Sequence, residues 1–130
     1  MGAATPHPST DGAPRVVIVD DQPTFRDAAR LLLEARGYDV VAEARCAASA
    51  LDAVERHQPE GVLLDVRLGE DDGLDVCAAL TRTRPGLAVL LASDGDDEQY
   101  GELIERCGAR GYIRKSRLPR ADLGQFWPRG

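Results

Sequence analysis

An apolar run that ends in a single carboxylate, Gly61-Val62-Leu63-Leu64-Asp65-Val66-Arg67-Leu68, constrains this chain more than any other stretch. A short continuous apolar run reads as a strand buried on both faces, which is the pattern of parallel sheets covered by helices. In open α/β sheets, binding and reacting groups gather outside the carboxyl ends of the strands. Asp65 stands at such an end. One carboxylate at a strand end proves little, so the question is what the other strands bring to the same rim.

The chain alternates strand-like and helix-like segments. Arg15-Val16-Val17-Ile18-Val19 is a β-branched run that ends in Asp20-Asp21. Asp21 or Gln22 is expected to cap a helix with Pro23 in its first turn, an apolar face of Phe25, Ala28, Ala29, Leu32 and Leu33, and a stop at Gly37. Tyr38 to Ala44 reads as a second, more exposed strand. Ala50, Leu51 and Val54 give the stripe of a helix over about Ala47 to His57, stopped before Pro59. After the Asp65 strand, residues Gly69 to Gly73 read as loop, Leu74, Val76, Cys77 and Leu80 as a helix, and Pro85-Gly86 as its end. Leu87 to Ala92 is another apolar strand, followed by the polar loop Ser93-Asp94-Gly95-Asp96. Tyr100, Leu103, Ile104 and Cys107 mark a fourth helix, Gly111 to Arg114 a fifth strand closed by Lys115, and Pro119 to Trp127 a short last helix.

Repeated β-then-α units without hairpin signals predict an α/β fold: a five-stranded parallel sheet between helical layers, in the flavodoxin-like order 2-1-3-4-5. Met1 to Pro14, rich in Ala, Pro, Ser, Thr and Gly, is expected to be a disordered tail. Residues 15–128 form one domain, with no effector domain expected. A length of 130 residues suits a single core.

Composition narrows the function. A net charge of -6 and a scarcity of aromatics argue against a nucleic-acid surface. No apolar run approaches the roughly 18–20 residues of a membrane span, and the N-terminus lacks a signal peptide's features. Cys46, Cys77 and Cys107 are odd in number and form no CxxC pair, so they read as reduced small hydrophobes in a cytoplasmic protein.

At the strand ends stand Asp20 and Asp21, Asp65, Ser93 and Lys115. Three converging carboxylates repel, and a hard divalent cation removes that conflict; an all-oxygen set of this kind suits Mg²⁺. An ammonium and a hydroxyl opposite the metal suit the oxygens of a phosphoryl group. Without a glycine-rich nucleotide loop, a carboxylate itself becomes the acceptor, forming an acyl phosphate. Taken singly, each residue has a plainer role: Asp21 a helix cap, Tyr112 an aromatic packed in an edge strand, Glu70-Asp71-Asp72 a solvated loop. His7 and His57 have no phosphotransfer context.

From about Arg15 to Trp127 the sequence resembles a bacterial response-regulator receiver domain (CheY-like), closest in wording to receivers of the helix-turn-helix transcription-factor branch. The resemblance rests on Val19-Asp20-Asp21, on Leu64 to Leu68 with Asp72-Gly73 after it, on Ser93, and on Gly108 to Lys115. It implies that Asp65 accepts phosphate from a sensor histidine kinase or phosphotransfer protein. It implies that Asp21, Asp65 and the backbone carbonyl of Arg67 hold Mg²⁺, with Asp20 assisting through water. Ser93 and Lys115 then bind phosphoryl oxygens, and Ser93 and Tyr112 act as the switch pair. It further implies a non-enzymatic signalling module, a monomer or weak homodimer; with no effector domain expected and a net charge of -6, output is expected through a downstream protein and not through nucleic acid or membrane.

Three positions depart from the family pattern: Asp94 where a small residue usually follows the hydroxyl, Gly69 near a usual loop proline, and Ser116 where proline commonly follows the lysine. The alternatives are a degenerate receiver serving as an adaptor, favoured by Asp94, and a flavodoxin-like flavin protein or small phosphatase. Asp20, Asp21, Asp65 and Lys115 together weigh against the last.

Overall fold

The computed structural model describes residues 12–95 and 101–128. Strands β1 (Arg15–Val19), β2 (Asp39–Ala44), β3 (Gly61–Asp65), β4 (Ala88–Ser93) and β5 (Gly111–Arg114) form one parallel sheet in the order β2-β1-β3-β4-β5. β3 and β4 are buried along their whole length, as continuous apolar runs require. In register, Val19 pairs with Leu64, Asp65 with Ala92 and Ser93 with Arg114, so the strands end together and their last residues share one rim.

Helix α1 (Pro23–Ala35) buries Ala29 and Leu33 against one sheet face, with Phe25 and Leu32 packed beside them. Ala28, expected on that face, is exposed. Gly37, at a φ of 93°, lets the chain leave α1 where a side chain would be strained. On the other face, α2 (Ala47–His57) buries Ala50, Ala53 and Val54, and α3 (Gly73–Thr83) buries Val76, Cys77 and Leu80. Leu51, expected in the α2 stripe, is 40% exposed, and Ala53 takes its place. Helix α4 (Gly101–Arg106) is followed by the buried Cys107; Tyr100 lies outside the described residues.

Three expectations need correction. Residues 69–73 are not plain loop: Arg67–Leu68 and Asp71–Asp72 pair antiparallel, turned by Gly69 at a φ of 61°, the positive value that the first position of a tight II′ hairpin turn demands. Two of the three acidic residues there are caps, since Asp71 Oδ2 accepts the Ala47 N–H of α2 (2.9 Å) and Asp72 Oδ1 the Leu74 N–H of α3 (2.8 Å). Pro14 is not tail: it is buried, and its carbonyl accepts the Asp39 N–H at 2.8 Å. Residues 1–11 lie outside the described set.

The third correction concerns the last element. In place of an α-helix, the chain returns along the α1 face as two 3₁₀ turns, Lys115–Arg120 and Leu123–Gln125. Pro119 has no N–H to donate, and Gly124 is a poor helix former. The carbonyls left over find Arg36, whose guanidinium donates to Ala121 O (2.7 Å) and Pro119 O. This strap still covers the face, burying Leu118, Leu123 and Trp127. Trp127 donates its indole N–H to Ala88 O (3.1 Å) and meets Tyr38 edge-on, with ring centroids 5.4 Å apart.

The close approach of Trp127 needs Gly61, since a Cβ there would lie 2.7 Å from the indole ring. Gly61→Ala is therefore expected to cost about 1–3 kcal/mol, the usual range for overpacking a core. A urea titration followed by fluorescence of Trp127, the only tryptophan, reads it directly; an unchanged midpoint would show that the ring is not held there.

Candidate functional site

The rim gathers the expected groups. Asp20 (1% exposed), Asp65, Ser93 and Lys115 (8% each) are buried polar residues at the carboxyl ends of β1, β3, β4 and β5. Lys115 reaches across β4 to join them: its Nζ lies 2.7 Å from Asp20 Oδ2 and 3.2 Å from Asp65 Oδ2. It also sits 4.4 Å above the Phe25 ring of α1, a cation–π contact made while the ammonium is screened from water. Phe25 reads in sequence only as a core position, because its charged partner comes from the far end of the chain.

Each carboxylate is fixed locally. Asp20 Oδ1 accepts the Gln22 N–H at 2.8 Å, which orients the group but leaves α1 without a side-chain cap. Asp65 Oδ1 accepts the Arg67 N–H at 3.1 Å. Asp20 Oδ2, though close to Lys115, receives no well-aligned hydrogen bond and keeps unfilled acceptor capacity inside the site. Asp21 is exposed beside them.

The electrostatics follow from burial. Desolvation pushes Asp65 up to about 6; the Arg67 amide pulls against this, the Asp20 charge adds to it, and Lys115 draws it back. Desolvation works to lower Lys115, but Asp20 and Asp65 outweigh it and its pKa is raised. The ammonium is therefore a permanent charge, while the acidic cluster carries more negative charge than one lysine neutralises.

One oxygen from each of Asp20, Asp21 and Asp65 lies within 4.8 Å of the others. A hard cation suits this donor set on three grounds: all donors are oxygens, one buried oxygen lacks a hydrogen bond, and the surplus charge needs compensation. Asp21 and Asp65 open into a cleft of about 440 Å³, lined also by Arg67, Gly69, Ser93 and Asp94, with room for the waters that Mg²⁺ retains.

On the far wall, Ser93 Oγ accepts the Gly95 N–H at 3.0 Å. Tyr112, half-buried against the α2–α3 side of the core, donates its hydroxyl to Gly95 O at 3.3 Å. One residue thus ties both expected switch side chains, a part for Gly95 that its sequence context does not signal. Asp94 is exposed at the cleft mouth. All described peptide bonds are trans, Lys115–Ser116 among them. The cysteines are free; Cys77 and Cys107 are buried and Cys46 half-buried. Among the described residues, no helix is long and apolar enough to cross a membrane.

Because the Asp65 pKa is raised from 3.8 to about 6, its charge opposes folding fully above pH 6 and not at all below about 3.8. In Mg²⁺-free buffer at pH 7.5, Asp65→Asn is expected to raise Tm, and the advantage should fade as pH drops through 6 towards 4. Added Mg²⁺ should raise the Tm of wild type more than that of the variant. Thermal melts across pH, with and without Mg²⁺, check both; an Asn variant less stable at pH 7.5 would contradict the charge surplus.

Comparison with known proteins agrees with this geometry. The family model for the response regulator receiver domain matches residues 16–123. The nitrate/nitrite response regulator protein NarP of Escherichia coli is 39% identical over 112 residues, covering 84% of this chain and 51% of that protein. A putative transcriptional regulator of Pseudomonas aeruginosa is 35% identical over 101 residues, covering 78% of this chain and 49% of that protein. The chain thus spans about half the length of the curated relatives it matches. A LuxR-family two-component response regulator from Aurantimonas sp. superposes with a TM-score of 0.80 at 30% identity, covering 88% of this chain and 81% of that one. The signal receiver domain of the putative response regulator NarL from Mycobacterium tuberculosis gives 0.74 at 34% identity, covering 86% and 94%. With its parallel sheet, acidic rim and opposed lysine, this chain belongs to the response-regulator receiver domain family.

Proposed function

We propose that this receiver is a phosphorylation-controlled switch that takes a phosphoryl group on Asp65 from a phosphohistidine of a sensor kinase or phosphotransfer protein. The observation that supports it best is the meeting of Asp20, Asp21, Asp65, Ser93 and Lys115 at one rim, beneath an open cleft that Asp21, Asp65 and Ser93 line. An Asp65 oxygen attacks phosphorus, the bond from phosphorus to the donor's imidazole nitrogen breaks, and its electron pair stays on that nitrogen. Asp20, Asp21, Asp65 and the Arg67 carbonyl are the groups to hold Mg²⁺. Bound there, Mg²⁺ supplies positive charge against the phosphoryl oxygens and aligns them. Lys115, already held at 3.2 Å from Asp65, neutralises oxygens on the other side.

Ser93 couples the site to the surface. Turning its hydroxyl towards a phosphoryl oxygen gives up the Gly95 N–H bond, which frees the loop residue that also holds Tyr112. Movement of Tyr112 then alters the exposed side of α4 and β5, where a downstream protein reads the state. On this reading the protein is a non-enzymatic cytoplasmic acceptor, a monomer or weak homodimer.

Incubation with Mg²⁺ and acetyl phosphate is expected to add one hydroxylamine-sensitive phosphoryl group, read by intact mass, and none to Asp65→Asn. Equal labelling of both proteins would sink the assignment. The adaptor reading rests on Asp94, whose exposed carboxylate stands at the mouth of the cleft. A folded wild type that stays unlabelled and does not respond to beryllofluoride would favour it.

Asp94 is expected to slow anionic donors by like-charge repulsion, so Asp94→Ala should speed acetyl phosphate labelling about threefold to tenfold at low salt and less at high salt. Rates unchanged by the substitution at low salt would remove Asp94 from the mechanism.

A further inference from the structure

Arg26 and Arg30 stand one turn apart on α1, so their side chains leave the same side of the helix. Both reach Glu43, the residue before the end of β2. Arg26 Nε lies 3.1 Å from Glu43 Oε1, and Arg30 Nε lies 2.6 Å from Glu43 Oε2. Arg30 is itself placed by the Val40 carbonyl (3.2 Å) and by Glu34 (3.1 Å). The other arm of Arg26 turns to the rim and donates to the main-chain carbonyl of Asp20 at 2.6 Å. A chain of contacts thus runs from Arg30 through Glu43 and Arg26 to a member of the acidic cluster. Glu43 itself belongs neither to that cluster nor to the cleft lining.

Ion pairs near a surface ordinarily contribute little to stability. This one differs in where its cation stands. Arg26, Arg30 and Glu43 are half-buried, so solvent ions screen them less than they screen exposed pairs. The Arg26 guanidinium also touches the backbone of Asp20 itself. A cation entering among Asp20, Asp21 and Asp65 meets that guanidinium as a like charge. Arg26 and Arg30 are balanced by Glu34 and Glu43, and the group of four is neutral towards the rim. The hydrogen bond from Arg30 holds the Glu43 carboxyl below its ordinary range, which keeps it ionised. Without the Glu43 charge, one positive charge would be in excess, with Arg26 next to Asp20.

We propose that Glu43 is a positioning residue that sets the rim's affinity for a divalent cation, by holding Arg26 at the Asp20 carbonyl and cancelling its charge. The inference rests on the reading of the rim as a Mg²⁺ site. The surplus negative charge that draws the cation is then maintained by a residue that never touches it. Arg26 fixes the turn after β1, and Glu43 lets it do so without opposing the metal. The two effects separate by substitution, because the charge of each partner can be removed while its hydrogen bonding is kept.

Mg²⁺ alone is the probe, titrated into the full chain without a phosphoryl donor. The amides of Gln22 and Arg67, bonded to Asp20 Oδ1 and Asp65 Oδ1, report binding by their NMR shifts. Glu43→Gln keeps an acceptor for the arginines and loses the charge. Its Kd for Mg²⁺ is expected to rise about threefold to tenfold at low salt, and less at high salt. Arg26→Gln keeps a donor for the Asp20 carbonyl and leaves one negative charge in excess, so its Kd should fall at low salt. A merely structural contact would weaken binding in both variants. Glu34→Gln, at an exposed residue paired with Arg30, should change Kd by less than about twofold. An unmoved Kd in Glu43→Gln, weaker binding by Arg26→Gln, or an equal response in Glu34→Gln overturns the proposal. If Glu43→Gln does not fold, the sign of the Arg26→Gln change decides it. A wild type without saturable shifts sinks the Mg²⁺ reading and this inference with it, whereas a saturable wild type with unmoved variants sinks this inference alone.

Discussion

A lysine ammonium buried between two carboxylates holds this molecule to its shape. Lys115 follows the edge strand β5, yet its charge sits 2.7 Å from Asp20 after β1 and 3.2 Å from Asp65 at the end of β3. The contact spans β4, so it requires that the strands end in register and that the side chain at the end of β4 be as small as Ser93. Burying such charges costs several kcal/mol per ion, and the ion pairs with their added hydrogen bonds offset that cost without turning it into a large gain. What the arrangement secures is position. Removing Lys115 would leave two carboxylates buried together, which is the costly case.

That same imbalance shapes the chemistry of the rim. One ammonium cannot neutralise the acidic cluster, and the pKa of Asp65 rises to about 6 as a result chiefly of its burial. The cleft is consequently prepared for added positive charge beside the exposed Asp21, while Lys115 bridges Asp20 and Asp65 and Ser93 stands at the end of β4. The hydrophobic layers make this asymmetry rigid. Two apolar clusters, one under α2 and α3 and one under α1 and the strap, grip the sheet from both faces. A three-layer receiver therefore survives with its last element reduced to two 3₁₀ turns beside α1, because Leu118, Leu123 and Trp127 still bury that face and Arg36 satisfies the carbonyls a helix would satisfy itself.

The elements legible in sequence are those whose signal is local. Apolar runs marked β1, β3 and β4, and because parallel strands end at a common rim, their terminal residues gave Asp20, Asp65 and Ser93 together. Helix faces were less legible: the α2 stripe shifts from Leu51 to Ala53 because small alanines pack closely against the sheet and carry little periodic signal. Glu70-Asp71-Asp72 read as solvated charge, while two of the three cap helices; one capped amide, Ala47 N, is remote in sequence, so composition alone did not reveal it. Phe25 under Lys115 and Gly95 between Ser93 and Tyr112 escaped for the same reason. The final helix failed because Pro119 removes a donor and Arg36, from another element, supplies the alternative.

The bonds at Gly95 set the scale of any switch built on this rim. Ser93 to Gly95 and Tyr112 to Gly95 are neutral hydrogen bonds, worth about 1 kcal/mol each net. On the proposed reading, a phosphoryl group at Asp65 offers Ser93 a charge-assisted bond of about 1.5–3 kcal/mol, while Lys115 exchanges its present bond to Asp65 for one to the phosphoryl group. The difference, at most about 1 kcal/mol, shifts a two-state equilibrium by less than about tenfold, whereas carrying it from 1:99 to 99:1 takes about 5.5 kcal/mol. Phosphorylation alone therefore biases the Tyr112 side of the molecule without locking it. On that reading the remainder comes from whatever binds the switched surface, and full commitment needs the target as well as the phosphoryl group.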